Sequence, residues 1–263
     1  SMGSILEALS PEQQIACSTQ NNILLTACPG SGKTRTLTHR LAYQVLRDPA
    51  SKKIKIAITY TNRAAEEITN RLEGMNIDQS SIWAGTIHQF CMHFIIRPYA
   101  MYSKRLCKGY RIIDDYSKKA YGREIAERLG MHLNYYDDPF QYENVRTEYK
   151  RVLKEKKEID FDAILLISEE LLASCAFIGS NIASVISSIL VDEFQDTNEL
   201  QYSILSTIYK ANKSIILMFV GDVNQAIYSS LGGVAKGKKE LETLYEINFD
   251  SLSLKGCYRS TQR

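Results

Sequence analysis

The stretch Ile23-Leu24-Leu25-Thr26-Ala27-Cys28-Pro29-Gly30-Ser31-Gly32-Lys33-Thr34 decides how the rest of the chain is read. Its apolar start reads as a buried strand. Leu37, Leu41 and Val45 after it are spaced for one face of a helix. A Gly-Lys-Thr loop between a strand and a helix is the context of a phosphate-binding P-loop. Without that context the same residues would be an ordinary glycine-rich turn. Gly30 and Gly32 supply backbone freedom for close wrapping of a polyphosphate. Consecutive N–H groups of the loop, with the helix N-terminus, then face the phosphates. Lys33 supplies a mobile positive charge, and Thr34 a hydroxyl for Mg²⁺. Ala27 stands where the strict pattern has Gly.

Working outward, 263 residues with 44% hydrophobic content suffice for one large or two modest domains. Lys and Arg number 32 against 30 Asp and Glu, a net charge of +2. A nucleic-acid site must therefore be a local patch. The cysteines, at 17, 28, 91, 107, 175 and 257, show no CxxC spacing, and no long apolar span interrupts the chain. Scattered thiols without a targeting segment argue against a disulfide framework and a zinc site. They point to a reducing, cytoplasmic setting with no membrane. Ser1-Met2-Gly3-Ser4 reads as a cloning scar outside the fold.

Ser10-Pro11-Glu12-Gln13 starts a helix with Ser10 as N-cap and Gln13 at the capping-box position. Ile54, Ile56 and Ile58 alternate as a second strand, followed by Thr59-Tyr60-Thr61-Asn62, with Asn62 able to cap a helix from Arg63 to Leu72. A third strand, Ile82-Trp83-Ala84, runs into Gly85-Thr86-Ile87-His88 and another helix. Such strand-to-helix turns form the ligand crevice of an open parallel sheet. Locally, Tyr60 and His88 read equally well as structural turn residues. Pro98 breaks the pattern. Residues 98–185 contain no convincing parallel-strand unit and read as helices at Ser117–Leu129, Tyr142–Lys157 and Asp160–Leu172. The basic run Arg146, Lys150, Arg151, Lys154, Lys156 and Lys157 reads first as a solvated helix face and second as a nucleic-acid track. The sheet resumes at Ser188–Val191, ending in Asp192-Glu193, and again at Ile215–Val220, ending in Gly221-Asp222. An acidic pair after a strand, in one sheet with a P-loop, suits a Mg²⁺ ligand beside a group that activates water.

In family order, these stretches resemble the UvrD/Rep/PcrA helicases of superfamily 1A over nearly the whole chain. Leu9 to Gln13 resembles the Q motif, and Ala27 to Thr34 with Arg35 motif I, where Ala in first place is the family's habit. Thr59 to Ala65 resembles motif Ia, Gly85 to His88 motif Ib, and Ile159 to Asp162 the segment before motif II. Val191-Asp192-Glu193-Phe194-Gln195-Asp196-Thr197-Asn198 resembles motif II. Val220 to Asp222 with Gln225 to Tyr228 resembles motif III, and Leu254 to Thr261 motif IV.

The resemblance implies an α/β fold: a RecA-like P-loop domain with a parallel sheet flanked by helices, over 1–97 and 186–263. A helical insertion subdomain would occupy 98–185, and a second RecA-like domain would begin near 255–263. It implies ATP and Mg²⁺, with Gln13 reading adenine and Tyr258 stacking on it. Ala27, Cys28, Pro29, Gly30, Ser31, Gly32, Lys33, Thr34 and Arg35 would hold the nucleotide. Thr34 and Asp192 would hold the metal, and Glu193 would activate water. Gln225 would sense the γ-phosphate, with Arg259 stabilising its developing charge. Tyr60, Asn62, Thr86, His88 and Tyr228 would line a single-stranded DNA track. The implied activity is ATP-dependent, 3′-to-5′ translocation on single-stranded DNA with unwinding of duplex, in repair or recombination. Further C-terminal helicase domains would complete it, so this piece alone would be weakly active. Ser230-Leu231-Gly232-Gly233 departs from the family's aromatic and Arg-Gly-Ala. Two other readings stand beside this one: the motor part of an AddA/RecB-type helicase–nuclease, and a DNA-dependent P-loop ATPase switch that does not unwind.

Overall fold

The computed structural model describes residues 1–222 and 237–254. The chain forms two compact units, Ser1–Phe90 with Ala176–Arg263, and Cys91–Cys175. The sequence reading sets the corresponding boundaries near 97/98 and 185/186. The described strands are β1 Ile23–Thr26, β2 Ile54–Thr59, β3 Ile82–Thr86, β4 Arg111–Ile112, β5 Glu158–Ile159, β6 Ile186–Asp192, β7 Ile216–Gly221 and β8 Asp250–Ser253.

In the first unit six strands form one sheet in the order β3-β2-β6-β7-β1-β8, every described pairing parallel. The fold is α/β, a parallel sheet flanked by helices, as expected of a RecA-like P-loop domain. Parallel strands covered on both faces read as continuous apolar runs, which is why Ile216-Leu217-Met218-Phe219-Val220 was legible as a strand. Its side chains divide by parity. Met218 and Val220 join a core with Leu25, Leu37, Leu41, Ile68 and Leu190. Phe219 faces the other way, its ring 5.4 Å from Tyr245 and 5.7 Å from Phe249. Arg40, 2% exposed, donates to the carbonyls of Ala16 and Thr19 and so satisfies the end of the helix Pro11–Ser18.

Three readings of this unit are corrected. Strand β8, Asp-Ser-Leu-Ser, was not foreseen; it carries little apolar signal and is ordered by pairing with β1. Thr61, not Asn62, caps the helix Asn62–Gly74, because its Oγ1 accepts from Ala64 N at 3.1 Å. The opening residues are not outside the fold: Ser1 caps a helix Met2–Glu7, and Ile5 packs on the core. Cys17, Cys91, Cys107 and Cys175 are free.

The second unit is helical, with helices Asp115–Arg128, Glu143–Lys156 and Phe161–Ser174. Its core joins Ile125, Val145, Tyr149 and Leu153, with Phe140 packed against it. A Cβ on Gly122 would lie 2.7 Å from the Phe140 ring, so this glycine seats the ring. One expectation fails here. A short parallel ladder exists, β4 against β5, too brief at two residues each to show as a pattern. Asp160, within the segment resembling the approach to motif II, is structural: it caps the helix Phe161–Ser174 and accepts from Tyr149 Oη at 2.8 Å. Much of the basic run is engaged locally. Arg151 pairs with Glu148 and Glu155, Arg146 donates to Phe140 O, and Lys156 lies 4.6 Å from the Tyr121 ring centre. That favours the solvated face over a nucleic-acid track.

Candidate nucleotide site

The β1 turn builds the site from backbone outward. Gly30 and Gly32 take φ of 80° and 77°, the left-handed region that only glycine enters freely. Ser31 closes the loop, its Oγ donating to Cys28 O at 2.6 Å and accepting from Cys28 N at 3.2 Å. Gly32 is the N-cap of the helix Lys33–Arg47 and makes no side-chain cap bond. A Cβ there would sit 2.6 Å from Gln13 Nε2. Gln13 fills the capping-box role read from the local sequence. Its Oε1 accepts from Ser10 N in the capping box, and its amide nitrogen lies against the loop.

Strand β6 delivers the acids. Parallel register sets Thr26 beside Gly221, and Asp192 beside Val220, so β1, β7 and β6 end at one edge of the sheet. Lys33 Nζ lies 3.1 Å from Asp192 Oδ1 and also binds Glu193 Oε1. Glu193 has φ 54° and ψ 46°, a left-handed conformation costly for a side-chain-bearing residue. That turn brings Glu193 back onto the same ammonium as its neighbour. Gln195 Nε2 donates to Glu193 Oε2 at 2.5 Å, and Glu193 N donates to Asp192 Oδ1 at 2.9 Å.

The electrostatics follow from burial. Desolvation pulls the Lys33 pKa down, but Asp192 and Glu193 outweigh it and hold the ammonium above its ordinary value. Desolvation raises the Asp192 carboxyl, reinforced by Glu193 and opposed by Lys33. The cavity, of about 410 Å³, is lined by Ala27, Cys28, Pro29, Gly30, Gly32, Lys33, Thr34 and Arg35, with Arg71, Glu193 and Asp222. It suits a polyphosphate: glycine amides, two arginines and a lysine face acids able to share a cation. The hard oxygen donors of Thr34, Asp192 and Glu193 fit Mg²⁺ by chemistry. Among the described residues no cluster of three or more His, Cys, Asp or Glu could hold a metal alone.

Two site features escaped the sequence reading. Arg71 sits on the helix Asn62–Gly74, and its visible signal is only an i,i+4 pair with Glu67 at 3.3 Å. Gly221 is the other: a Cβ would come within 2.4 Å of Phe194 and 2.8 Å of Gln195 Oε1. Gly221 therefore seats the ring and amide that follow Glu193. The motif resemblance named the residue but gave it no role.

Tyr60, Asn62, Thr86 and His88 lie farther along the same sheet edge, where Thr59 pairs with Thr86. Tyr60 is 65% exposed and Asn62 is exposed. Thr86 exchanges cap bonds with Gln89, at 2.9 and 3.3 Å. His88 is half-buried in the helix Ile87–Cys91. Gln225, Tyr228, Tyr258 and Arg259 lie outside the described residues, as do Ser230 and Leu231. No helix among the described residues is long and apolar enough to cross a membrane.

Comparison with known proteins places this geometry. ATP-dependent DNA helicase PcrA of Leuconostoc citreum is 28% identical over 274 residues, 93% of this chain and 36% of that protein. DNA helicase II of Escherichia coli K12 is 27% identical over 286 residues, 98% of this chain and 39% of that protein. PcrA of Staphylococcus aureus Mu50 is 27% identical over 291 residues, with 99% and 39% covered. The chain thus spans under two-fifths of these relatives and matches their UvrD/PcrA-type N-terminal part. Among solved structures, the Pif1 helicase of Candida albicans aligns with a TM-score of 0.46 and 13% identity, over 95% of this chain and 40% of that one. An AAA domain model matches residues 12–231, and on that match the chain belongs to the AAA domain family.

Proposed function

We propose that this chain is the N-terminal motor part of an ATP-dependent DNA helicase, translocating 3′-to-5′ on single-stranded DNA and opening duplex in repair or recombination. The observation that carries the reading is the Lys33 ammonium held between two strand-end carboxylates, Asp192 and Glu193, at the mouth of a glycine-lined cavity. The same lysine is the natural partner of a terminal phosphate. Nucleotide would draw it off the carboxylates and leave each free for its own task. Asp192, with Thr34, would hold Mg²⁺, which neutralises phosphate charge when bound. Glu193, steadied by Gln195, would take the proton of an attacking water. Gln13 would meet the base, and Arg35 and Arg71 would add charge around the phosphates or base. Tyr60, Asn62, Thr86 and His88 would contact single-stranded DNA, with Tyr228. Gln225, Tyr258 and Arg259 would complete the nucleotide site. The unit Cys91–Cys175 would be the helical insertion, and further domains would close on the nucleotide from the far side. Names of the relatives support ATP and DNA as ligands.

The test is hydrolysis of ATP with and without single-stranded DNA, in the protein carrying its C-terminal domains. Stimulation by DNA together with strand separation is the expected result. Stimulation without separation would leave the non-unwinding switch. No stimulation would refute a DNA motor.

A further inference from the structure

A second polar cavity lies at the other edge of the same sheet, where the strands begin. It measures about 200 Å³ and is lined by the starts of β2, β6 and β7 and the C-terminal ends of the helices Pro11–Ser18 and Lys33–Arg47. Open α/β sheets use the opposite edge for ligands, so this cavity is separate from the nucleotide site. Its lining carries three cationic side chains against one carboxylate. Lys55, only 4% exposed, has its ammonium bonded to Lys53 O at 3.1 Å and Ser81 Oγ at 3.4 Å, and Asp48 is the acid whose charge reaches it. Arg47 and Lys53 add two more cations, and Tyr43 and Gln44 add a hydroxyl and an amide; Asp48 is the only acid in the wall. The helix C-termini disfavour an anion, and residues of their last turns line the cavity, so the cations must outweigh that effect. Arg40 already takes up the Ala16 and Thr19 carbonyls.

We propose that this cavity binds a small tetrahedral oxyanion, free phosphate or the phosphate of a small phosphomonoester, through Lys55, Lys53 and Arg47. Three cations and two neutral donors match four oxygens better than the two of a carboxylate. The volume admits a phosphate with a short organic group and no nucleotide. The inference does not rest on the DNA-motor reading.

The experiment uses the chain carrying Lys33→Ala, which weakens phosphate binding at the P-loop. Its thermal midpoint is followed against inorganic phosphate, glycerol phosphate and acetate, with ionic strength held constant by sodium chloride. A saturable rise with either phosphate is expected, and not with acetate. Adding Arg47→Ala and Lys53→Ala, both near the surface, should weaken the apparent affinity by at least about tenfold, since each removes a charge-assisted bond. Lys55→Met should abolish the rise. If that variant fails to fold by circular dichroism, the Arg47/Lys53 pair decides alone. A rise with glycerol phosphate only would identify a phosphorylated metabolite, and with inorganic phosphate only, the free ion. No rise, an equal rise with acetate, or a rise unchanged by the double substitution would overturn the proposal.

Discussion

Two stretches of one sheet edge behave differently. At the ends of β1, β6 and β7, side chains are wired to one another: Lys33 to Asp192 and Glu193, Glu193 to Gln195, and Gln195 against Gly221. At the ends of β2 and β3, side chains are tied to their own backbone. Thr59 Oγ1 donates to Thr61 O, Thr61 caps the next helix, and Thr86 exchanges bonds with Gln89. Tyr60 stands out into solvent. The first arrangement fixes atoms against each other, as bond-breaking at a phosphate requires. The second fixes a backbone and leaves an aromatic face open, which suffices for contacts that do not depend on sequence. The difference predicts how steeply each region responds to substitution.

The steepest response is expected at Glu193. Glu193→Gln keeps the size of the side chain and its left-handed turn but removes the carboxylate proposed to act as base. In the protein with its C-terminal domains, ATP turnover should fall by roughly 10²–10⁴ while nucleotide binding persists. Turnover near wild type would show that the wired region is not the catalytic one.

Lys33→Ala should come next, with a loss of turnover of roughly 10²–10³ and weakened nucleotide binding by calorimetry. It carries a pH signature as well. Lys33 opposes the burial that raises Asp192, so its removal should raise that carboxyl further. A carboxyl raised in the fold costs stability as pH climbs from the unfolded value through the folded one. Lys33→Ala should therefore destabilise more at neutral than at acid pH, by denaturant titration at each. An equal cost at both would mean that the ammonium and Asp192 are not coupled.

Gly221→Ala sharpens the contrast. One methyl would enter space held by Phe194 and Gln195, and overpacking of that kind costs about 1–3 kcal/mol. The shift should pass through Gln195 to Glu193, lowering turnover as well as the melting temperature. Gly30→Ala meets no atom within 4 Å, so its cost comes from φ alone.

What could be read from the sequence divides along similar lines. The P-loop, the β6 acids and the strand β7 were legible because their signals are local: Gly-Lys-Thr after an apolar run, and buried strands that finish in Asp. Arg71 was not, because only the fold brings the last turn of its helix to the cavity. Strand β8 was not, because its polar residues become a strand by pairing with β1. Thr61 was passed over for Asn62 because both residue types cap helices, and local sequence does not say which backbone turns first. The β4–β5 ladder was too short to leave any pattern.

The smallest effect is expected at Tyr60, and it bears most directly on the looser region. The side chain is 65% exposed at the end of β2, so truncation to alanine removes little packing. Stability should change by less than about 0.5 kcal/mol, as for surface positions generally. If the ring stacks on a base, single-strand affinity should fall by about 1 kcal/mol, the lower end of the range for one stacked base. That is roughly fivefold, alike on mixed and homopolymeric strands. The dependence of binding on salt should keep its slope, because the slope counts neutralised phosphates and a tyrosine neutralises none. Fluorescence anisotropy of a labelled oligonucleotide at several salt concentrations measures all of this at once. A changed slope would mean that Tyr60 positions a cation instead of a base. Unchanged affinity, with the melting temperature also unchanged, would mean that the open face at β2 and β3 is not where the strand runs, and the contrast between the two regions would then be one of packing alone.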